Sequence, residues 1–149
     1  MADKTKVGKE YPPVLWEVER GKIRELVRAI GDPNPVYTNR DAAIAEGYKD
    51  VPASPTFLTV PAMWCNILAI VLLDASVNVA MVLHGEEEYE YLAEIYPGDI
   101  LTGVSKLVSI EEKVSKSGRM MHMVTIETNY TNQRGEKAAK ARTLIVERM

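Results

Sequence analysis

The chain has 149 residues, of which 46% are hydrophobic and 26% are charged, and its formal net charge is −3. Such a length and composition are typical of one globular domain with a sizeable core, and they exclude a disordered or fibrous protein. Basic residues in the C-terminal half alternate with glutamates, which excludes the one-signed basic surface that nucleic acid requires. The single cysteine, Cys65, excludes an internal disulfide bond and a thiolate-rich metal site. We expect one domain over residues 1–149.

The N-terminal region is predicted to contain a short strand and an amphipathic helix. The first 13 residues are polar and have no apolar signal core, which predicts a cytoplasmic protein. Residues 14–18 are predicted to form a first strand. In residues 22–30 the apolar side chains recur at i, i+3, i+4 and i+7, the pattern of a helix with one buried face. Gly31 then provides a C-terminal cap.

A turn and a second, shorter helix follow. Residues 32–35 read Asp-Pro-Asn-Pro, a turn that cannot continue a helix. Thr38 and Asp41 have the spacing of a capping box, which predicts a short helix over residues 42–46. Gly47 ends this helix.

The segment from residue 56 to residue 73 contains no charged residue and is nearly long enough to span a bilayer. Pro61, Asn66 and the absence of flanking basic residues argue against a membrane span. A helix that is apolar on all sides is also typical of a core helix wrapped by a sheet. We therefore expect residues 54–73 to form a nearly fully buried central helix, in which Pro61 marks either a kink or the start.

Beyond Ala80 the hydrophobic period changes from helical to alternating. Four strands are predicted over residues 82–95, 100–114, 120–132 and 137–147, with glycine-rich turns between them. One long helix followed by a run of antiparallel strands predicts an α+β domain. A sheet that curls around the helix is the simplest way to bury that helix.

Three segments carry a resemblance to a known family. In residues 29–37 a glycine and an aspartate precede an Asn-Pro pair, residues 53–57 read Ala-Ser-Pro-Thr-Phe, and a His-Gly-Glu block begins at His84, with Pro-Gly-Asp at 97–99. These segments resemble the signature, the start of the central helix, and the following strand and turn of the MaoC-like (R)-specific hydratase/dehydratase family. The resemblance is strongest to its dehydratase N-terminal-type (FAS1-like) branch. It implies a single hotdog fold, an antiparallel sheet wrapped around a long central helix.

The resemblance also implies site residues, with one departure from the family pattern. Asp32 stands where the catalytic aspartate stands and Asn34 where an asparagine supports the loop, although both residue types are also ordinary in turns. The family's catalytic histidine lies two residues after the second proline, and here that residue is Tyr37. A phenol, whose ordinary pKa is about 10, is a poor base at neutral pH. The substrate-binding residues implied are Pro55, Thr56, Phe57, His84 and Gly85.

Only two histidines are available to replace the missing one. His84 is either a structural residue or a substitute base, and Gly85 beside it permits close backbone approach. His122 lies in a strand pattern, where a packed or surface residue is the simplest interpretation. Glu86, Glu87 and Glu88 are interpreted as a charged strand edge that discourages aggregation, and no metal ion or cofactor is predicted.

Several members of this branch lack the histidine and work beside a histidine-bearing partner. The resemblance therefore implies a subunit of an (R)-specific enoyl-thioester hydratase/3-hydroxyacyl-thioester dehydratase that binds acyl-CoA or an acyl-carrier-protein thioester. Such a chain alone is expected to be weak or inactive as an enzyme. Two alternatives stay open: a non-enzymatic acyl-thioester-binding homodimer, and a self-sufficient homodimeric hydratase that uses Asp32 with Tyr37 or His84. In each case we expect at least a dimer, because a lone hotdog sheet leaves a long edge strand open to pairing. We expect no membrane partner.

Overall fold

The computed structural model describes residues 2–149 and contains one antiparallel sheet with the strand order β1-β3-β4-β5-β2. The strands are β1 Val14–Glu17, β2 Val82–Tyr91, β3 Ile100–Val114, β4 Met120–Thr131 and β5 Lys137–Arg148. The helices are α1 Arg20–Ala29, α2 Arg40–Ala45, α3 Thr59–Trp64 and α4 Ile67–Asp74. Short 3₁₀ turns occupy Lys4–Lys6, Pro35–Tyr37 and Val79–Met81. The predicted α+β class is confirmed.

The sheet has a buried inner face because side chains alternate along each strand. In β4 the inner residues include Val124 and Ile126, which are buried in one cluster with Val71 and Leu72 of α4. A second cluster around Phe57 and Tyr130 fills the space between the sheet, α1 and the start of α3. The core thus lies between the sheet and the central segment.

The central segment is two helices rather than the single, nearly fully buried helix that we predicted. Asn66 has a left-handed backbone (φ 52°) and separates α3 from α4, a conformation that asparagine tolerates better than most residues. Pro61 is the third residue of α3, where its missing N–H removes no helical hydrogen bond, so it belongs to the start of the helix. Met63 and Trp64 are 70% and 67% exposed, because the sheet covers one side of the segment only. Among the described residues, no helix has the length and hydropathy needed to cross a membrane.

The second predicted helix begins at a different cap from the expected one. The side chain of Asn39, not that of Thr38, accepts hydrogen bonds from the backbone N–H groups of Asp41 (2.9 Å) and Ala42 (3.2 Å). Asparagine is among the best residues at this position. The helix therefore starts at Arg40, two residues earlier than predicted.

A bulge in β2 changes which residues face inward. The pairing with β5 runs regularly from Tyr91 back to Glu86, skips Gly85, and resumes at His84. A Cβ at Gly85 would lie 3.1 Å from the Leu144 carbonyl oxygen, tighter than ordinary contact, so glycine suits this position. Because of the extra residue, His84 and Glu87 both lie on the inner face, opposite Ile145 and Thr143.

Candidate functional site

The loop that carries the predicted catalytic residues is held by its own side chains. Oδ1 of Asp32 accepts a hydrogen bond from the backbone N–H of Asn34 at 2.9 Å. Oδ1 of Asn34 accepts one from the N–H of Val36 at 3.1 Å and so caps the 3₁₀ turn Pro35–Tyr37. These bonds are the turn chemistry expected of Asp and Asn, and they leave Oδ2 of Asp32 and the amide NH2 group of Asn34 for other contacts.

Tyr37 is half-buried and lines a cavity of about 200 Å³ together with Tyr48, Tyr91 and Glu94. Burial, followed by the negative charge of Asp32, raises the pKa of the Tyr37 phenol above its ordinary value. The phenol is therefore neutral at pH 7. It can make a hydrogen bond, but it cannot take a proton from water as a neutral imidazole does.

The predicted segment at the start of the central helix divides between the cavity and the core. Pro55 lines the Tyr37 cavity, and its carbonyl oxygen accepts a hydrogen bond from the hydroxyl of Tyr91 at 2.9 Å. Thr56 is exposed, whereas Phe57 is fully buried in the core. The structure thus brings Asp32, Asn34, Tyr37 and Pro55 to one end of β2, and places His84 and Gly85 at the other end.

A second and larger cavity is a groove of about 470 Å³, which has the size of a small-molecule site. Its floor and walls are mainly apolar and come from α3, α4, β2 and β5, with Ala69, Leu72, Val82 and Ile145 among them. Met63 and Val79 lie at its exposed rim. Sequence reasoning did not anticipate this groove, because its lining comes from residues that are far apart in the chain.

One wall of the groove carries a polar cluster. Nε2 of His84 donates to Oε2 of Glu87 at 2.8 Å, and the hydroxyl of Thr143 donates to Oε1 of the same carboxylate at 3.1 Å. The hydroxyls of Tyr89 and Thr59 share a hydrogen bond of 2.6 Å. Burial raises the pKa of Tyr89, and the charge of Glu87 acts in the same direction, so Tyr89 is neutral at pH 7.

A buried pair lies at the opposite end of the sheet from Tyr37. Nδ1 of His122 and Oε2 of Glu147 are 2.6 Å apart, and both side chains are almost fully buried. Oε1 of Glu147 also accepts a hydrogen bond from the backbone N–H of Asn78 at 2.6 Å, which ties the turn before β2 to the sheet. The alternation of β4 carried the signal for this pair, since His122 shares its face with Val124.

An ion pair between Arg20 and Asp50 joins α1 to the loop before Pro52. The two terminal guanidinium nitrogens, Nη1 and Nη2, donate to Oδ1 and Oδ2 of the carboxylate at 2.7 and 2.6 Å. This contact with Arg20 lowers the pKa of Asp50 to about 2, below the value of about 3.9 in an unfolded chain. The unfolded chain therefore binds more protons between these two values, so the stabilisation is complete above pH about 4 and is lost as the pH falls through 2.

We expect the free energy of unfolding of the wild-type protein to fall more steeply between pH 5 and pH 2, roughly the window set by these pKa values, than that of Asp50→Asn. The asparagine cannot be ionised and loses this dependence. Urea unfolding at a series of pH values measures the slopes. Asp41→Asn, which removes an exposed carboxylate without an ion pair to any described residue, is the control and should keep the wild-type slope. Equal slopes for wild type and Asp50→Asn would contradict the assignment.

Similarity to known proteins identifies the family of this chain. Residues 5–141 match the family model of the FAS1-like dehydratase domain region. A UPF0336 protein of Streptomyces avermitilis is 37% identical over 149 residues, which cover 98% of this chain and 95% of the relative. The chain belongs to the FAS1-like dehydratase family. The resemblance predicted from the sequence is confirmed.

Solved structures agree with this FAS1-like dehydratase assignment. The C-terminally truncated HadBC (3R-hydroxyacyl-ACP dehydratase) complex from Mycobacterium tuberculosis is similar with a TM-score of 0.76 and 23% identity, covering 95% of this chain and 96% of that chain. A MaoC-like dehydratase is similar with a TM-score of 0.79 and 31% identity, covering 95% of this chain and 42% of that chain. The FAS1-like dehydratase chain thus has the hotdog fold of these proteins.

Proposed function

We propose that this chain is a hotdog subunit of an (R)-specific enoyl-thioester hydratase/3-hydroxyacyl-thioester dehydratase. In this proposal it binds the acyl-CoA or acyl-carrier-protein thioester, and a related histidine-bearing subunit supplies the base. The observation that carries the proposal is Tyr37, a neutral phenol at the position of the family's catalytic histidine. The loop that carries Asp32 and Asn34 keeps the family pattern, but the histidine that acts as the base is absent. This combination favours a binding role for the chain.

The apolar groove supports the binding role. An acyl chain needs a long apolar surface, and the groove provides one between α3, α4 and the inner face of β2. Its exposed rim at Met63 and Val79 leaves a side that another subunit could cover. Covering that side would remove water from the bound acyl chain, which strengthens the apolar contacts.

The open edge of β2 supports pairing with a second subunit. β2 has ten residues, pairs with β5 on one side only, and within residues 2–149 has no partner on the other. Such an edge offers a row of free backbone N–H and C=O groups to another strand. Leu83 on β2 and Leu73 on α4 are also exposed, and burying them would contribute apolar contact area.

In hydration by such a pair, the partner's histidine takes a proton from water while the water oxygen attacks carbon 3 of the enoyl thioester. A proton is then delivered to carbon 2, and dehydration is the reverse. The residues of this chain bind the acyl group, exclude water from it and hold it at a fixed distance from the partner's base. Positioning of this kind accounts for much of enzymatic rate acceleration.

The geometry argues against the alternative in which Asp32 and His84 of one chain form a single catalytic site. Tyr91 lines the Tyr37 cavity, and His84 lies seven residues earlier in the same strand. At about 3.3 Å per residue this separation is roughly 20 Å. A base and an acid that act on one double bond must both lie within hydrogen-bond reach of it or of one water.

The proposal is tested by purifying the tagged chain from its native host. We expect it to bring down a second hotdog protein whose sequence contains Asp-x-Asn-Pro-x-His. Leu83→Lys on the open edge of β2 is expected to reduce recovery of that protein, because it places a charge at the pairing surface. Leu15→Lys is the matched control, since Leu15 is also exposed, at 70% against 49% for Leu83, and lies on the opposite edge strand β1. Recovery of the wild-type chain without a histidine-bearing partner would contradict the proposal.

A further inference from the structure

The polar cluster in the groove is not used by the proposed catalytic scheme. A carboxylate beside an apolar groove loses part of its hydration, which costs free energy. Glu86 and Glu88 avoid this cost on the other face of β2, whereas the bulge at Gly85 keeps Glu87 and His84 together on the inner face. A charged strand edge that only discourages aggregation does not require His84 and Glu87 to face the groove.

The cluster has hydrogen-bonding capacity left for a ligand. The Glu87 carboxylate engages Nε2 of His84, and Nδ1 of the same ring makes no hydrogen bond to any residue of the 2–149 range. In the neutral ring Nδ1 is therefore an acceptor. Tyr89 and Thr59 have two hydroxyl protons between them and use one in their shared bond, and the Tyr89 hydroxyl also faces the Glu87 carboxylate, from which the second proton can turn to a ligand. The groove wall thus presents one acceptor and one donor within an apolar surface.

We propose that His84, Glu87 and Thr143, with the Tyr89–Thr59 pair, form a subsite for a hydroxyl group on the acyl chain. This inference rests on the proposed function, because it takes the groove as the acyl-chain site. A hydroxyl both donates and accepts a hydrogen bond, which matches the free acceptor and donor of the cluster. An unsubstituted alkyl chain leaves both unpaired, and sites with unpaired polar groups discriminate against such ligands.

The recognised hydroxyl is distinct from the one that hydration makes. His84 and Tyr91 lie at opposite ends of β2, roughly 20 Å apart, so the cluster does not contact atoms held at the Tyr37 loop. Glu87 orients the imidazole, and Thr143 holds the second carboxylate oxygen. The ligand class of the groove is then the mid-chain hydroxylated acyl thioesters.

The test measures binding to the full-length chain by isothermal titration calorimetry. The probes are stearoyl-CoA and a set of hydroxystearoyl-CoA isomers whose hydroxyl is placed at successive mid-chain carbons. We expect one isomer to bind about tenfold more tightly than stearoyl-CoA, the effect of one well-placed hydrogen bond. His84→Phe and Glu87→Leu are expected to remove this preference. Glu88→Leu, the same change on the outer face of β2, is expected to keep it.

The outcomes separate the subsite from the proposed function. Binding of stearoyl-CoA with no preference for any isomer would overturn the subsite and leave the proposed function standing. A preference that persists in both His84→Phe and Glu87→Leu would also overturn it. If neither stearoyl-CoA nor any isomer binds, both the subsite and the use of the groove for an acyl chain are wrong.

Discussion

Purified alone, the wild-type protein is expected to hydrate crotonyl-CoA at a rate close to background. Addition of its histidine-bearing partner is expected to raise that rate by about 10²–10⁴-fold, the usual contribution of a general base. The physical reason is the raised pKa of Tyr37, which keeps its phenol protonated at neutral pH. Loss of the enoyl-thioester absorbance measures the rate. Tyr37→His is expected to add slight activity to the lone chain, because the loop already places this side chain in a cavity.

Two matched variants sharpen this experiment. Asp32→Asn keeps the oxygen that accepts the N–H of Asn34 and removes only the charge, so the complex should retain most of its rate through the partner's own aspartate and histidine. Tyr37→Phe should change little for the same reason. Robust turnover by the lone wild-type chain would contradict the paired-subunit proposal. If that turnover were lost in His84→Ala and kept in Tyr37→Phe, a self-sufficient enzyme based on His84 would replace it.

Glu147→Ala is expected to lower the free energy of unfolding by about 3–5 kcal/mol, as is usual when one partner of a buried pair is removed. The substitution leaves His122 buried without its carboxylate and leaves the N–H of Asn78 without an acceptor. Urea unfolding followed by circular dichroism measures the loss. Glu112→Ala is the control, because Glu112 makes an exposed ion pair with Lys4 at 2.7 Å, and such pairs contribute less than about 1 kcal/mol.

A double variant separates the loss of the hydrogen-bonded pair from the loss of packing volume in Glu147→Ala. Replacing both His122 and Glu147 by leucine removes both polar side chains of the pair and leaves only the N–H of Asn78 without its acceptor, so we expect part of the stability lost in Glu147→Ala to return. A double variant that is less stable than Glu147→Ala would show that the pair contributes through contacts other than its own hydrogen bond. If Glu147→Ala lowered the free energy of unfolding by less than about 1 kcal/mol, the value typical of an exposed ion pair, the prediction of a buried pair would be wrong.

Most of the strands were predictable from the sequence because period-two alternation is a local signal. The predicted range 100–114 agrees with β3, and those for β4 and β5 differ from the structure by one residue each. The central helix was predicted less well. The uninterrupted apolar sequence did not reveal the break at Asn66 or the exposed side of the segment. Hydrophobicity predicts that a side chain avoids water, but it does not tell whether the same chain or another molecule covers it.

The candidate site was predictable only where it is contiguous in sequence. Asp32, Asn34 and Tyr37 lie in one loop, so a motif could find them together. The groove was not predictable, because its lining comes from two helices and two strands. Pairing of His84 with Glu87 was hidden for a different reason. Strict alternation places residues three apart on opposite faces, and only the skipped pairing of Gly85 reveals that they share one.

The two edge strands of the sheet, β1 and β2, differ in length, and this difference limits how many copies of the chain could join through their sheet edges. β1 has only four residues and is preceded by Pro12 and Pro13, which have no N–H to donate. β2 has ten residues. An open fibre requires each molecule to join one edge to the opposite edge of the next, whereas a two-fold pair joins an edge to its own kind. With β1 too short to act as a template, pairing through β2 would end at two chains, so a long open strand of this kind does not by itself lead to polymerisation.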